Sequence, residues 1–198
     1  PRYTEIEELT LISKINIVCI RWSHVRIYTI GHSNRSIDEF LEILKAFEIQ
    51  KVIDIRRLPK SRKYPHFNYE NLNNFLPRYG IEYIWEERLG GYRKFGKDVE
   101  DEGLGKCFKS ESFRAYSTYI IRSKEAREAL EEVYEIAKQK KVALMCAELL
   151  PWNCHRKIVS DWFLVKGYEV IHIIKINNTI NHKLTSCADI SNGDLMYK

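Results

Sequence analysis

The sequence predicts an α/β fold: a three-layer sandwich with a mainly parallel sheet of about five strands and helices on both faces. Short apolar runs recur along the chain, and segments with a helical period lie between them. The run at 51–55 shows no polar alternation, which is typical of a strand buried on both faces. Right-handed crossovers between such strands produce a parallel sheet.

The first half of the domain reads as strand, helix, strand, helix, strand. A β-branched and aromatic run at 26–30 ends at Gly31, and Ser36 with Glu39 forms a capping box that opens a helix to Phe47. The second strand is at 51–55. A helical stretch near 69–79 leads to a third strand at 81–85.

The second half begins with a long loop. Residues 86–106 are charged and glycine-rich without a period, and long loops in compact domains are usually functional or disordered, so we expect a lid or a substrate-gripping loop. The remaining elements are two helices at 112–122 and 124–140, the second capped by Ser123, a strand at 142–146, a helix near 153–166 and a strand at 169–174. We therefore expect one domain at 26–175, an N-terminal extension at 1–25 and a C-terminal tail at 176–198 without a clear period.

Composition narrows the function classes. With 44% hydrophobic residues the 198-residue chain can bury a core, and its net charge of +5 favours an anionic partner without requiring one. The five cysteines are odd in number, scattered and without a C-x-x-C pair, so they indicate neither a disulfide framework nor a zinc ribbon. We expect reduced thiols in the cytoplasm. The apolar stretch at 15–20 is too short to span a membrane, and we expect no membrane association and no cofactor.

Four polar motifs, at 31–34, 54–57, 89–91 and 146–148, directly follow strand-like runs. Open α/β sheets bind ligands at the carboxyl ends of their strands, so we expect one composite site. Gly31 is able to adopt a positive φ that lets a ligand approach, and His32, Ser33 and Asn34 offer a nitrogen, a hydroxyl and an amide to a base edge or an anion. Alternatively, Ser33 and Asn34 cap the turn and His32 is a buried, hydrogen-bonded histidine.

Asp54 ends an apolar strand, where an unpaired carboxylate is costly, so it needs Arg56, Arg57 or a backbone donor. A structural Asp–Arg pair is the alternative to a catalytic role. Cations alternate with aromatic rings and prolines from 56 to 68, a pattern suited to gripping single-stranded nucleic acid or a flipped base. Solvated surface is the alternative, and phosphorylated small molecules need the same cations. The candidate contacts in this stretch are Arg56, Arg62, Lys63 and Phe67.

Cys146 and Glu148 end the fourth predicted strand, and Cys154, His155 and Arg156 open the next helix. Glu148 could activate water or stabilise a developing cation, and Arg156 could hold a phosphate or fix Glu148; a buried salt bridge between them is the alternative. Cys146 and Cys154, together with His155 and His32, carry atoms that are able to bind a metal. Their spacing lacks the close ligand pairs of a standard zinc site, so we expect no metal. Cys146 is instead a candidate nucleophile, and a buried free cysteine without a chemical role is the alternative.

Taken together, these motifs resemble the prokaryotic domain-of-unknown-function family four-eight-eight. The resemblance spans 26 to about 174 and rests on the sequences at 28–34, 54–56, 65–68, 89–91, 143–148 and 154–156. It implies a compact α/β protein with a link to DNA base repair, including excision of damaged pyrimidines. The site it implies comprises Gly31, His32, Ser33, Asn34, Asp54, Arg56, Arg62, Gly90, Gly91, Cys146, Glu148, Cys154, His155 and Arg156.

The leading hypothesis is a nucleic-acid-processing enzyme, most concretely a DNA glycosylase that hydrolyses the N-glycosidic bond of a damaged base. Its oxocarbenium-like transition state needs a carboxylate and an activated water, for which Asp54 and Glu148 are candidates, while His32 or Asn34 contacts the extruded base. DNA is the expected partner. A metal-dependent nuclease, a cysteine-dependent small-molecule transferase and a non-catalytic nucleic-acid-binding module are the alternatives.

Overall fold

The computed structural model describes residues 25–198, so the predicted N-terminal extension lies outside the described residues except for Val25. The main sheet has six strands: β1 (Arg26–Gly31), β2 (Lys51–Asp54), β3 (Glu82–Trp85), β4 (Val142–Cys146), β5 (Glu169–Lys175) and β6 (Asn178–Asn181). Their order across the sheet is β3-β2-β4-β1-β5-β6. The first five in chain order are parallel, and β6 pairs antiparallel with β5.

Helices cover both faces of this sheet, which confirms the predicted three-layer α/β architecture. Successive strand residues enter opposite cores: Val52 packs with the first two helices, whereas Ile53 packs with the last three. No helix within residues 25–198 is long and apolar enough to cross a bilayer. The helices are α1 (Ile37–Ala46), α2 (Tyr69–Phe75), α3 (Glu111–Arg122), α4 (Lys124–Ala137) and α5 (Arg156–Val165).

Two predicted helix caps are present. The hydroxyl of Ser36 accepts the backbone N–H of Glu39 at 3.1 Å, and the hydroxyl of Ser123 accepts that of Ala126 at 3.2 Å. These bonds satisfy donors that the first helical turn leaves open. The helix predicted near 69–79 is shorter than expected: after Phe75 the chain tightens into a 3₁₀ turn at Leu76–Tyr79, where Pro77 lacks the N–H that an α-helix requires.

The long loop at 86–106 is fastened to the domain. The Arg93 guanidinium lies 4.0 Å from the ring centre of Tyr119, and its Nε donates to the Gly90 carbonyl at 3.0 Å. Asp98 pairs with Arg57 at 3.3 Å. These contacts hold the loop against the strand ends, while the side chain of Tyr92 stays 80% exposed.

Residues 176–198, which the sequence predicted as a tail without a clear period, contain three strands. They form β6 and a hairpin of β7 (Ala188–Ser191) and β8 (Asp194–Tyr197), and β8 buries Leu195 and Tyr197 in the core. A disulfide joins Cys107 to Cys187, whose Cα atoms are 5.8 Å apart. The expectation of reduced thiols is therefore wrong for this pair, because a sequence separation of 80 residues conceals a contact made by tertiary packing.

The order of the strands positions the motifs. Because β4 lies between β1 and β2, Gly31 is in register with Cys146, and Asp54 is in register with Met145. The carboxyl ends of three central strands therefore lie side by side. They bring together motifs that are more than one hundred residues apart in sequence.

Candidate functional site

Two adjoining pockets open at this edge of the sheet. The first, here called the histidine pocket, has a volume of about 580 Å³ and is lined by His32, Ser33, Asn34, Lys60, Ser61, Lys63, Tyr64 and Leu149. The second, the cysteine cavity, has a volume of about 320 Å³ and is lined by Arg57, Tyr92, Ser110, Ser112, Phe113, Tyr116, Cys146, Asn153, Cys154 and His155. Both are also lined by Arg56, Leu58, Ala147 and Glu148.

Asp54 lies beneath the pockets and is completely buried. Its carboxylate accepts the Arg56 backbone N–H at 3.0 Å, the Arg56 Nε at 2.9 Å and the Tyr83 hydroxyl at 2.6 Å. Burial, followed by the Asp54 charge, raises the pKa of Tyr83, so that hydroxyl remains a donor. The Asp–Arg pair offered as the structural alternative is present, and Asp54 does not line either pocket.

Arg56 links Asp54 to His32. Its Nη2 donates to the Asp54 carboxylate and to the Phe67 carbonyl at 2.7 Å, and its Nη1 lies 3.2 Å from Nε2 of His32. The Nδ1 of His32 is 2.9 Å from the Ser33 carbonyl, which only accepts, so Nδ1 carries the proton and Nε2 accepts from Arg56. Burial and then the Arg56 charge lower the pKa of His32 to about 4, so the ring is neutral at pH 7.

Phe67 is buried beneath this histidine. Its ring stacks on His32 with centroids 4.4 Å apart and an interplanar angle of 21°, and none of it reaches solvent. Phe67, a candidate substrate contact in the sequence, therefore lines neither pocket and packs on the histidine instead. Of the other candidate contacts in this stretch, Lys63 is exposed on the pocket lining, and exposed Arg62 lies beside it in the chain.

Gly31 is not among the residues with positive φ; Ser33 is, at 52°. Glycine is required at 31 because a Cβ there would lie 1.8 Å from the Glu148 carbonyl oxygen. Ser33 and Asn34 complete the turn, with the Ser33 hydroxyl 3.3 Å from the Asn34 side-chain oxygen. The 31–34 and 147–149 segments are thus in backbone contact, and Gly31 provides the space for that contact.

Glu148 is exposed at the boundary of the two pockets. Among the residues that line them it is the single carboxylate, whereas four of the lining residues are cations: Arg56, Arg57, Lys60 and Lys63. This arrangement leaves a negative side chain available to a ligand that the surrounding cations attract.

Arg156 does not pair with the Glu148 carboxylate. Its buried guanidinium donates to the Glu148 and Leu149 carbonyls, the latter at 3.1 Å, and to the Thr29 hydroxyl at 3.3 Å. The buried Glu–Arg salt bridge offered as the structural alternative is therefore absent from the described residues, and Arg156, with none of its side chain accessible, cannot reach a phosphate in either pocket. Its bonds fix the loop that carries Glu148.

The cysteine cavity has a cluster of sulfur and imidazole groups in its wall. Nδ1 of His155 lies 3.8 Å from Sγ of Cys146 and 3.6 Å from Sγ of Cys154. All three side chains are buried, and their potential ligand atoms lie within 4.8 Å of one another. Spacing in the sequence argued against a zinc site; the three side chains converge because Cys146 ends β4 while Cys154 and His155 precede α5.

The two glycines of the 89–91 motif pack against this region. A Cβ at Gly90 would lie 2.8 Å from the Cα of Arg57, and one at Gly91 would lie 2.8 Å from Nδ1 of His155. Both glycines therefore permit close approach of the loop. Sequence reasoning missed Tyr116, whose ring meets that of His155 edge-on at 5.0 Å. Its position on the inward face of α3 is a weak signal that is shared with ordinary core residues.

Sequence reasoning also missed Tyr83 and Arg35. The alternation of β3 directs Tyr83 towards Asp54, but this is clear only when the neighbouring strand is known. Arg35 directly follows the 31–34 motif and donates to the carbonyls of Gly31 and Ile174 from a buried position. It ties the end of β1 to the end of β5.

Comparison with protein families gives one match. The model described as "Domain of unknown function DUF488" matches residues 36–163. This range contains three of the four motifs, and the motif at 31–34 lies just before it. Neither a curated protein nor a solved structure gives a significant match. The match covers well over half of the chain and agrees with the resemblance that the motifs indicate. The chain belongs to the DUF488 family.

Proposed function

We propose that this chain is a nucleic-acid-processing hydrolase and, most concretely, a DNA glycosylase that cleaves the N-glycosidic bond of a damaged base. The observation that carries the proposal is the exposed Glu148 carboxylate, shared by two pockets whose other charged lining residues are cations. Cleavage of this bond develops positive charge on the sugar next to negatively charged phosphates. The pockets supply the opposite charge for each.

Glu148 has the catalytic role in this proposal. As a carboxylate it stabilises the oxocarbenium-like sugar or accepts a proton from the attacking water. Lys60 and Lys63 on the histidine pocket contact the phosphate backbone, and Arg62 adds charge beside them. The extruded base enters the histidine pocket, where Asn34 is exposed and the neutral His32 lies in the wall.

Asp54 has a positioning role and not the catalytic role that the sequence suggested. Its carboxylate is occupied by Arg56 and Tyr83 and has no access to the pockets. Through Arg56 it sets the orientation of His32. A carboxylate used in this way acts on the reaction only through the side chains that it holds.

The test is single-turnover cleavage of oligonucleotides that carry different damaged bases, scored as alkali-labile sites. On a lesion that the wild type cleaves, Glu148→Gln should lower the rate by about 100-fold or more, with DNA binding changed little. Glu87→Gln is the matched control, because Glu87 is an exposed carboxylate that lines neither pocket. Equal rates for wild type and Glu148→Gln, or no cleavage of any lesion by the wild type, would contradict the proposal.

A further inference from the structure

The cluster of Cys146, Cys154 and His155 has no part in the proposed glycosylase reaction. It is built from two separate segments, the end of β4 and the turn before α5. Two sulfur atoms and one imidazole nitrogen converge, and all three side chains are more than nine-tenths buried. Their geometry indicates a use of its own.

A hydrogen bond on the side of the ring away from the sulfurs sets the orientation of His155. Its Nε2 lies 2.7 Å from the Ile55 carbonyl, which only accepts, so Nε2 carries the proton. The lone pair is then on Nδ1, the atom that faces both sulfurs. A backbone carbonyl that fixes the second nitrogen in this way is the usual support of a metal-binding histidine.

The separations match those of a tetrahedral site. Zinc binds sulfur at about 2.3 Å and imidazole nitrogen at about 2.0 Å, so tetrahedral angles place a sulfur and a nitrogen ligand about 3.5 Å apart. The observed distances between sulfur and Nδ1 are 3.6 Å for Cys154 and 3.8 Å for Cys146. Both sulfur–nitrogen separations are therefore close to those that a bound cation needs, and the two sulfurs lie within 4.8 Å of each other.

Two neighbouring groups suit the cluster to a cation. The Arg156 backbone N–H, at the start of α5, donates to Sγ of Cys154 at 3.4 Å. Gly91 leaves free the space beside Nδ1 that a side chain would fill.

We propose that Cys146, Cys154 and His155 bind a thiophilic divalent cation of the zinc class, with its fourth coordination position open to the cysteine cavity. Three protein ligands and an open position characterise zinc sites that bind water or substrate, whereas structural sites are closed by a fourth protein ligand. The cavity that this position faces also contains Glu148. The inference stands independently of the glycosylase proposal.

The test is titration of the full, metal-free chain, with the Cys107–Cys187 disulfide intact and the other cysteines reduced, with Co²⁺ alone, followed by visible and near-ultraviolet absorption. We expect one equivalent to give the intense d–d bands of tetrahedral cobalt and a thiolate-to-cobalt charge-transfer band, and Zn²⁺ to abolish both. Cys146→Ser and Cys154→Ser should each weaken binding by more than about tenfold, since even loss of an outer-shell partner costs that much. Cys19→Ser, whose residue lies outside the described part of the chain, is the matched control and should retain the spectrum.

A spectrum without the charge-transfer band, or one that either cluster variant leaves unchanged, would overturn the proposal. So would a wild-type spectrum that Cys19→Ser abolishes. Because the cluster cysteines are buried, a serine variant is used only if its circular dichroism is native. If neither variant folds, X-ray absorption of the zinc-loaded wild type decides: two sulfur neighbours with at least one nitrogen support the site, and a shell without sulfur refutes it.

Discussion

Asp54 and Asp161 are two completely buried carboxylates that have the same kinds of hydrogen-bond partner but different surroundings. Each accepts a tyrosine hydroxyl, a backbone N–H and a basic side chain. For Asp161 the partners are the Tyr197 hydroxyl at 2.7 Å, the Thr185 N–H at 2.9 Å and Nε2 of His182 at 2.8 Å. The networks differ in what lies beyond the basic side chain.

Beyond Arg56 lies His32, in the wall of an open pocket. Beyond His182 lies buried His172 at 3.0 Å, and then the buried Thr29 hydroxyl at 2.7 Å, which also accepts from Arg156. The second network fastens the C-terminal strands to the sheet, because Tyr197 is in β8 and His172 is in β5. The comparison teaches that a buried, fully hydrogen-bonded carboxylate indicates positioning, and that its function depends on what its network holds: the pocket wall for Asp54 and the C-terminal strands for Asp161.

The largest difference between the networks should appear when each carboxylate loses its charge. Asp54→Asn leaves the Arg56 guanidinium buried without a counter-ion and should lower the free energy of unfolding by about 3–5 kcal/mol. Asp161→Asn should cost only about 1–3 kcal/mol, because it leaves no arginine guanidinium buried without a counter-ion. Urea denaturation at pH 7 measures both. Equal losses of unfolding free energy in the two variants would show that Asp54 does not stabilise the protein mainly by compensating the charge of Arg56.

The next effect is a dependence of stability on pH. Burial is the main cause that lowers the pKa of His32 to about 4 and that of His172 to about 3, whereas both titrate near 6.5 when unfolded. The unfolded chain therefore binds more protons, and stability present above pH 6.5 is lost as the pH falls. His32 accounts for about 3 kcal/mol of this loss, at about 1.4 kcal/mol per pH unit.

The contribution of each histidine is separable by substitution. Near pH 5, His32→Gln should reduce the slope of unfolding free energy against pH by about 1.4 kcal/mol per unit, and His172→Gln should do the same. Denaturation curves at closely spaced pH values give the slopes. A slope that His32→Gln leaves intact would show that His32 takes up its proton in the folded state.

The tyrosines provide a matched pair of smaller changes. Tyr83→Phe and Tyr197→Phe each remove one hydrogen bond to a buried carboxylate, at 2.6 Å and 2.7 Å. Each should cost about 1.5–3 kcal/mol, since the acceptor is charged. Only Tyr83→Phe should also alter the histidine pocket, which nuclear magnetic resonance of the His32 ring detects. A shift of that ring in Tyr197→Phe would join two networks that we describe as separate.

The smallest effect on stability, and the one most specific to ligand binding, concerns surface cations. Replacement of Arg62 and Lys63 by alanine should weaken DNA binding and reduce its salt dependence by about one unit of slope per lost phosphate contact. Replacement of exposed Lys175 and Lys183, near the Asp161 network, is the control of equal charge. Fluorescence titration at several salt concentrations gives the slopes. Equal slopes in the two double variants would leave Arg62 and Lys63 as solvated surface.

Features that depend on neighbours in sequence were predictable. The second strand, predicted at 51–55 and observed at Lys51–Asp54, follows from a local pattern, and so do the Ser36 and Ser123 caps and the Asp54–Arg56 pair. Burial periodicity, capping bonds and an ion pair two residues apart are all short-range. The motif positions at strand ends also predicted the edge of the sheet at which the two pockets open. The burial of Phe67 and Arg156 was not predictable, because the local sequence around an aromatic ring or a cation does not show whether the side chain is buried or exposed.

The sequence by itself determined the fold class, the alternation of strands and helices and the edge at which the motifs gather, because each depends on periodicity and on connections between consecutive elements. Only the tertiary structure decided that β4 enters between β1 and β2, which unites Cys146 with His155 and leaves Glu148 facing both pockets. It also decided the Cys107–Cys187 pair and the Asp161 network. Their partners are distant in sequence, and the packing of the whole chain is what makes them neighbours.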